Sequence, residues 1–277
     1  MRLATGRLEG GTRALRIDGE VASVLPFDDV DALLRSGESW RREAEGGDGE
    51  SVGLDSVELL SPVRSPEKII CAGLNYRAHV LETGREIPAY PTLFAKFARC
   101  LIGPADDLVL PRASGKVDWE AELALVIGST VSRIDEGEAE GAIAGYTVAN
   151  DVSMRDWQRR TSEMLQGKAF ERSTPVGPWL VSPDEVDPAA GLTLRCTVGD
   201  KVMQESTTSD MIFSPTALVS YVSQFITLVP GDLILTGTPA GVGGARKPPV
   251  FLAPGDVLRT YVEGIGELEN ACVEADA

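Results

Sequence analysis

The stretch Val117–Gly128, VDWEAELALVIG, constrains this chain most, because two carboxylates stand two residues apart at the start of an otherwise apolar run. Successive side chains alternate along an extended strand, so Glu120 and Glu122 share one face. Trp119, Ala121, Leu123, Leu125 and Ile127 fall on the other, which reads as core, and past Glu122 the polar face also turns apolar with Ala124 and Val126. Two anions at the mouth of a buried strand repel by roughly 4 kcal/mol at about 4 Å and an effective dielectric of about 20. They require a cation or a shared proton, and a hard divalent metal ion is the direct remedy. The alternative is an edge strand whose glutamates are simply solvated.

With 277 residues, 43% of them apolar and 25% charged, the chain has material for a large core in one or two domains. Its net charge of −16 argues against nucleic acid and anionic membrane surfaces as partners, since both would be repelled. An anionic small substrate stays open, provided a metal and local cations reverse the field inside one cleft. No apolar run reaches the ~18 to 20 residues needed to cross a bilayer. The N-terminus MRLATGRLEGG has no signal-type apolar region, so the chain reads as a soluble cytoplasmic protein. Cys71, Cys100, Cys196 and Cys272 are widely spaced with no C-x-x-C, which points to reduced structural thiols, and His79 is the only histidine, which leaves zinc almost nothing to bind.

Residues 2–25 alternate short β-like runs with glycine turns, as in an antiparallel meander. Asp28 to Arg35 follows at helical spacing with Gly37 as its stop, and the acidic, glycine-rich segment from Arg42 to Ser51 reads as a loop. Composition turns apolar near Ser65 and Pro66, which divides the chain into a small β-rich domain at 1–65 and a catalytic domain at 66–277. There IICAGLNYRAHVLETG reads as a buried strand feeding a short helix, with Asn75 as its cap and Gly84 as its end. His79 and Glu82 lie three apart on one helix face, so Glu82 can fix the imidazole tautomer and raise the basicity of the other ring nitrogen. A lone histidine satisfied at the surface is the competing reading.

Lys96, between Phe94 and Phe97, faces either the cleft or solvent, and solvent is the preferred reading. Asp151 ends a third buried strand, and Arg155 and Gln158 follow along one stripe if Ser153 starts a helix; Asp151 as an ordinary helix cap competes. Lys168 comes after a glycine and before a Pro-Val-Gly-Pro loop of the kind that holds a side chain over a cleft, a solvated charge being the default. A Gly199-Asp200 hairpin and a helix with Ser214 as cap and Pro215 at its first position come next. The tail is short strands broken by Pro-Gly-Asp turns. Its GVGGARKP lacks both G-x-G-x-x-G and a Walker lysine context, which rejects nucleotide binding. Thr236 to Pro239, with Thr238 among them, can offer a hydroxyl and backbone N–H groups to a carboxylate, or form a plain turn. Many strands with few helices give a mixed α+β, mainly β class.

Five motifs in order, GLNYRAHVLE, VDWEAELALVIG, NDVSMRDWQ, GKAFERSTPVGPW and LTGTPAGVG, resemble the fumarylacetoacetate hydrolase family from about Lys68 to the C-terminus. The resemblance implies a mixed β-sandwich roll behind a variable N-terminal domain, in a homodimer. It implies that Glu120, Glu122 and Asp151 bind one Mg²⁺ or Mn²⁺ per chain, and that Arg155, Gln158, Lys168 and Thr238 hold an α-keto acid end. His79 and Glu82 correspond to the family's His-Glu pair, found in members that cleave C–C bonds. Phe97 stands where the family often has proline, and Glu171 where aspartate is common; both are placed beside the cleft.

The leading expectation is therefore metal-dependent hydrolysis of a β-diketo acid of the acylpyruvate type, with His79 and Glu82 activating water and Lys168 stabilising the developing charge. Decarboxylation of oxaloacetate and isomerisation of a hydroxymuconate-type diacid are the rivals within the family. A structural Ca²⁺ site in a non-catalytic protein is the rival outside it, disfavoured by the lack of an EF-hand pattern and by the His, Lys and Arg around the triad.

Overall fold

Alternating strands near the N-terminus and continuous apolar runs later in the chain produce two packed sheets. In this computed structural model, which describes residues 1–46 and 49–275, the larger sheet has 12 strands. Its main path runs from Ser51–Gly53 through Val21–Val24, Gly11–Asp18 and Arg2–Leu8 to Thr174–Val181, Ile143–Asn150, Ala121–Ile127, Leu233–Leu235, Ile69–Gly73 and Thr92–Lys96. The smaller sheet holds five strands, Lys201–Thr207, Thr193–Val198, Val257–Val262, Gly266–Glu274 and Leu108–Leu110. Leu123, Leu125, Ile127 and Val148 of the larger sheet share one buried cluster with Leu194, Leu258, Val262 and Leu268 of the smaller. Behind the larger sheet, Ala124, Val126, Ala149 and Val176 are covered by Val30, Leu33, Leu34 and Trp40 of the N-terminal helices. The Ala121–Ile127 strand is apolar on both faces because it lies between these layers. The fold is the mixed α+β, mainly β sandwich expected.

The N-terminal meander forms as read, but its sheet does not stop at residue 65. Arg2–Leu8 pairs with Thr174–Val181, Arg2 opposite Val181 and Leu3 opposite Leu180. The first 65 residues thus add strands to the sheet that carries the carboxylates and cover its back.

Four local expectations are corrected. The first helix spans Val30–Leu34, capped by Asp29, whose carboxylate accepts from the Ala32 N–H at 2.7 Å. Trp40–Glu45 is helical where a loop was expected from Arg42. Trp40 is 2% exposed and donates its indole N–H to the Gly128 carbonyl at 3.1 Å, so one buried aromatic outweighs the polar composition around it. Gly47 and Asp48 of that segment lie outside the described residues.

The Pro-Val-Gly-Pro segment is no loop but part of the central strand Thr174–Val181. Pro178 is tolerated because the ladder to Ile143–Asn150 shifts register between Tyr146 and Val148, an interruption where its missing N–H costs nothing, while Pro175 lies beyond the paired residues of that ladder, opposite Ile102. Asn75 does not cap the helix Arg77–Glu82. Its amide instead donates to the carbonyls of Phe213 and Thr236, at 2.9 and 2.7 Å, tying the start of that helix to the end of the Leu233–Leu235 strand. The hairpin at Gly199-Asp200 and the Ser214-capped helix Pro215–Ser223 form as expected, and all four cysteines are free and buried. Among the described residues no helix is long and apolar enough to cross a membrane.

Candidate metal centre and active site

Register brings the three acids together. Ala121–Ile127 and Ile143–Asn150 are antiparallel neighbours with Ala121 opposite Asn150, and the Asp151 N–H donates to the Glu120 carbonyl at 2.8 Å. Glu120, Glu122 and Asp151 therefore leave the same end of two adjacent strands toward one face. Each offers a carboxylate oxygen within 4.8 Å of the others, and they are 6%, 1% and 0% exposed.

Cations crowd this cluster. Lys168 Nζ lies 2.7 Å from Glu120 and 2.8 Å from Asp151, and 5.0 Å above the Phe94 ring. Arg155 reaches Glu120 at 2.7 Å and Asp118 at 2.7 Å, and donates to Gln158 at 2.9 Å. Lys96, expected in solvent, is 2% exposed and bonded to Asp151 at 2.6 Å. The strand alternation carried that signal, since Lys96 shares a face with Phe94, which packs beneath Lys168. Lys168 is likewise no solvated surface charge.

Asp118 was missed, although it extends the Glu120, Glu122 alternation by one more step. Fully buried, it accepts from Arg155 and from the N–H groups of Gly243 and Gly244 at 2.7 and 2.8 Å, and so fixes both the guanidinium and the loop beside it. Asn150 and Gln204 were also missed; they accept from the N–H groups of Glu120 and Ala121, each at 2.9 Å, and nothing in their sequence surroundings marks them.

Four buried carboxylates, Asp118 included, face three cations, which leaves the site one negative charge in excess. Burial would raise the Glu120 carboxyl, but Lys168 and Arg155 outweigh it and hold this group at about 2. Glu122 has no such partner. Burial first, then the charges of Asp151 and Glu120, push its carboxyl well above the usual range, although the Gly237 N–H donates to it at 2.7 Å. Glu122 is thus the group that takes a proton when no cation is nearby. An all-oxygen donor set that converges on one point and lacks one positive charge fits a hard divalent ion, with about three of its six positions left open. Such an ion turns the excess of negative charge into a surplus of one positive charge, suited to an anionic substrate.

A stability difference follows. A carboxyl raised in the fold contributes stability below its unfolded value of 4.5, and that contribution is lost as pH rises through the folded value. A bound ion replaces the proton, so the gap in melting temperature between metal-loaded and chelator-treated protein should widen as pH rises above about 5. Melts across a pH series read this directly; a gap independent of pH contradicts it.

Glu120, the one member of the triad that lines it, marks the floor of a cavity of about 620 Å³, and His79, Glu82, Arg155, Gln158, Lys168 and Thr238 all reach its wall. His79 Nδ1 lies 3.2 Å from Glu82, which also accepts from the Gly241 N–H at 3.0 Å. A carboxylate only accepts, so the neutral imidazole is the tautomer with its proton on Nδ1 and its lone pair on Nε2. Arg155 and Gln158 begin and end the short helix Arg155–Gln158, which starts two residues later than expected because Ser153–Met154 pairs with Val117–Asp118. Thr238 reaches the wall, but its hydroxyl donates to the Ala121 carbonyl at 2.9 Å and accepts from Gln204 at 2.8 Å. The Thr236 to Thr238 turn thus serves the protein's own strand and, through Gly237, its own carboxylate. Phe97 and Glu171 do not line the cavity: Phe97 is exposed, and Glu171 pairs with Arg99 at 2.8 Å on the surface.

Gly167 permits the close packing behind Lys168. A methyl group there would lie 2.4 Å from the Gln158 nitrogen, a backbone atom that cannot step aside. Gly167→Ala should separate Lys168 from Gln158 and lower kcat/KM by about a hundredfold, the usual cost of a misplacement of about 1 Å at a reacting centre. Steady-state kinetics of the variant check this.

The model of the fumarylacetoacetate (FAA) hydrolase C-terminal family matches residues 68–273. The chain belongs to the fumarylacetoacetate hydrolase family. It is 46% identical over 220 residues to a mitochondrial oxaloacetate tautomerase of Xenopus laevis, covering 79% of this chain and 69% of that protein. Among solved structures in the family, 5-carboxymethyl-2-hydroxymuconate delta-isomerase from Mycobacterium smegmatis superposes with a TM-score of 0.83 at 35% identity, over 100% of both chains. Maleylpyruvate hydrolase from Sphingobium sp. SYK-6, in complex with manganese(II) and pyruvate, gives 0.83 at 30% identity, again over 100% of both. Tautomerases, isomerases and hydrolases thus share this scaffold.

Proposed function

We propose that this enzyme catalyses enol–keto tautomerisation of oxaloacetate or a closely similar short 2-oxo diacid, with Mg²⁺ or Mn²⁺ held by Glu120, Glu122 and Asp151. When bound, such an ion would supply Lewis-acid polarisation of the substrate's 2-oxo group. Arg155 and the free amide of Gln158 orient the carboxylate end. Lys168 has two of its three protons on Glu120 and Asp151, which leaves the third free for a substrate oxygen that gains charge. Burial would discharge Lys168, but Asp151 and Glu120 raise its pKa and keep it an ammonium. His79, held by Glu82, moves the proton between the enol oxygen and C3, a transfer that consumes nothing and needs no attacking water.

The observation that carries acid–base chemistry at this site is the His79–Glu82 pair on the same cavity wall as Glu120 and Lys168, a pair that would serve hydrolysis as well. The choice of oxaloacetate is supported by the likeness to the Xenopus laevis enzyme. Hydrolysis of an acylpyruvate is the second reading, favoured by a cavity of about 620 Å³, roomy for a four-carbon acid, and by the likeness to maleylpyruvate hydrolase. Loss of enol absorbance and release of pyruvate, followed together in a coupled assay, separate them. Faster enol loss with no pyruvate beyond the metal-only control is expected. Pyruvate released in step with oxaloacetate consumption would assign decarboxylation, and cleavage of acylpyruvates without tautomerase activity would assign hydrolysis.

A further inference from the structure

The cavity has a second end, and its charges differ from those of the floor. Of the carboxylates on the wall, Glu82 is occupied by His79 and the Gly241 N–H, and Glu120 by Lys168 and Arg155. Arg155 donates to Asp118, Glu120 and Gln158, and its remaining donors belong to the keto-acid end. Two further arginines on the wall, Arg85 and Arg159, make no ion pair and no side-chain hydrogen bond among the described residues. Both are exposed, which sets them at the mouth. In a chain with 42 acidic against 26 basic residues, the uncommitted charges of this cavity are nevertheless positive.

Their backbones are anchored beside the chemistry. The Arg85 N–H donates to Val80 at 3.1 Å, closing the end of the helix that carries His79 and Glu82. The Arg159 N–H donates to Arg155 at 3.3 Å, closing the helix that carries Arg155 and Gln158. Ser162, whose hydroxyl has no partner among the described residues, lies on the same wall.

We propose that Arg85 and Arg159 form an anion subsite at the cavity mouth that takes the second carboxylate of a dicarboxylic 2-oxo acid and makes the enzyme selective for diacids over monoacids of equal length. The proposal rests on the reading of the floor as a metal site for the keto-acid end. Exposure screens the two guanidinium groups, so the preference they confer is about five- to tenfold in affinity, that of charge-assisted bonds in water rather than of a buried pair.

Calorimetric titration of the Mg²⁺-loaded protein with three probes tests it. Oxalate reports the floor alone; 2-oxoglutarate and 2-oxopentanoate have the same carbon chain and differ by the distal carboxylate. The expected result is tighter binding of 2-oxoglutarate than of 2-oxopentanoate, a preference that shrinks with added KCl, and its loss in Arg85→Gln and Arg159→Gln with oxalate affinity unchanged. No preference in the unaltered protein, or one that survives both substitutions together, overturns the subsite while leaving the floor intact. Failure of oxalate to bind the loaded protein overturns the metal-site reading and the subsite with it.

Discussion

Glutamine in place of Glu122 leaves the metal-free protein about as stable as before, yet strips it of its divalent ion. The raised carboxyl of Glu122 holds a proton when no ion is present, and a neutral amide of the same shape mimics that state while still accepting from the Gly237 N–H. The ion, by contrast, loses one of three anionic ligands in a buried site. Removal of one buried charge partner costs about 3–5 kcal/mol, or roughly two to four orders of magnitude in affinity. Asp151→Asn should behave differently. Among the described residues its carboxylate is the sole partner of buried Lys96 and one of two for Lys168, so the metal-free protein loses stability as well as metal affinity. Thermal melts in chelator, with metal titrations on the same samples, separate the two behaviours. Equal destabilisation by both substitutions would mean that Glu122 is ionised in the metal-free fold and that no proton offsets the site's excess of negative charge.

Alanine in place of His79 should lower kcat by about 10²- to 10⁴-fold, the range for loss of a positioned general acid–base, with metal and oxalate affinity preserved. His79 lies outside the ligand triad and bonds only to Glu82 among the described side chains, so its loss empties a proton-transfer position without disturbing the floor. Glu82→Gln should cost less, since its other role, accepting from the Gly241 N–H, survives in the amide. A kcat unchanged in His79→Ala, measured beside an unchanged oxalate affinity, would remove the dyad from the reaction and move the proton transfer to another group.

Much of the site was legible because its chemistry follows strand alternation. Glu120 and Glu122 share a face by period two, and the register of two antiparallel strands then fixes Asp151 beside them. The same rule, carried one step back to Asp118 and across to Lys96, would have found two further members; Lys96 was misread because nothing beside a lone lysine between phenylalanines shows that Asp151, far along the chain, accepts from it. Asn150 and Gln204 serve backbone N–H groups at the strand ends, contacts set by tertiary packing and marked by no local pattern. In the fold, Trp40 and the prolines of Thr174–Val181 defeated composition for one reason. Burial by distant residues decided the local structure, and the sequence near them could not state it. The continuity of Arg2–Leu8 with the catalytic sheet is of the same kind, a pairing across more than 170 residues.

The most direct test is a Mn²⁺ titration of the metal-free protein, read by the paramagnetic resonance of the free ion, with and without oxalate. One ion should bind per chain; oxalate should bind only with that ion and tighten its hold; and Glu122→Gln should lose both effects together. Oxalate bound equally well in chelator, or Mn²⁺ bound undiminished by the Glu122 variant, would contradict a keto-acid site built on these three carboxylates.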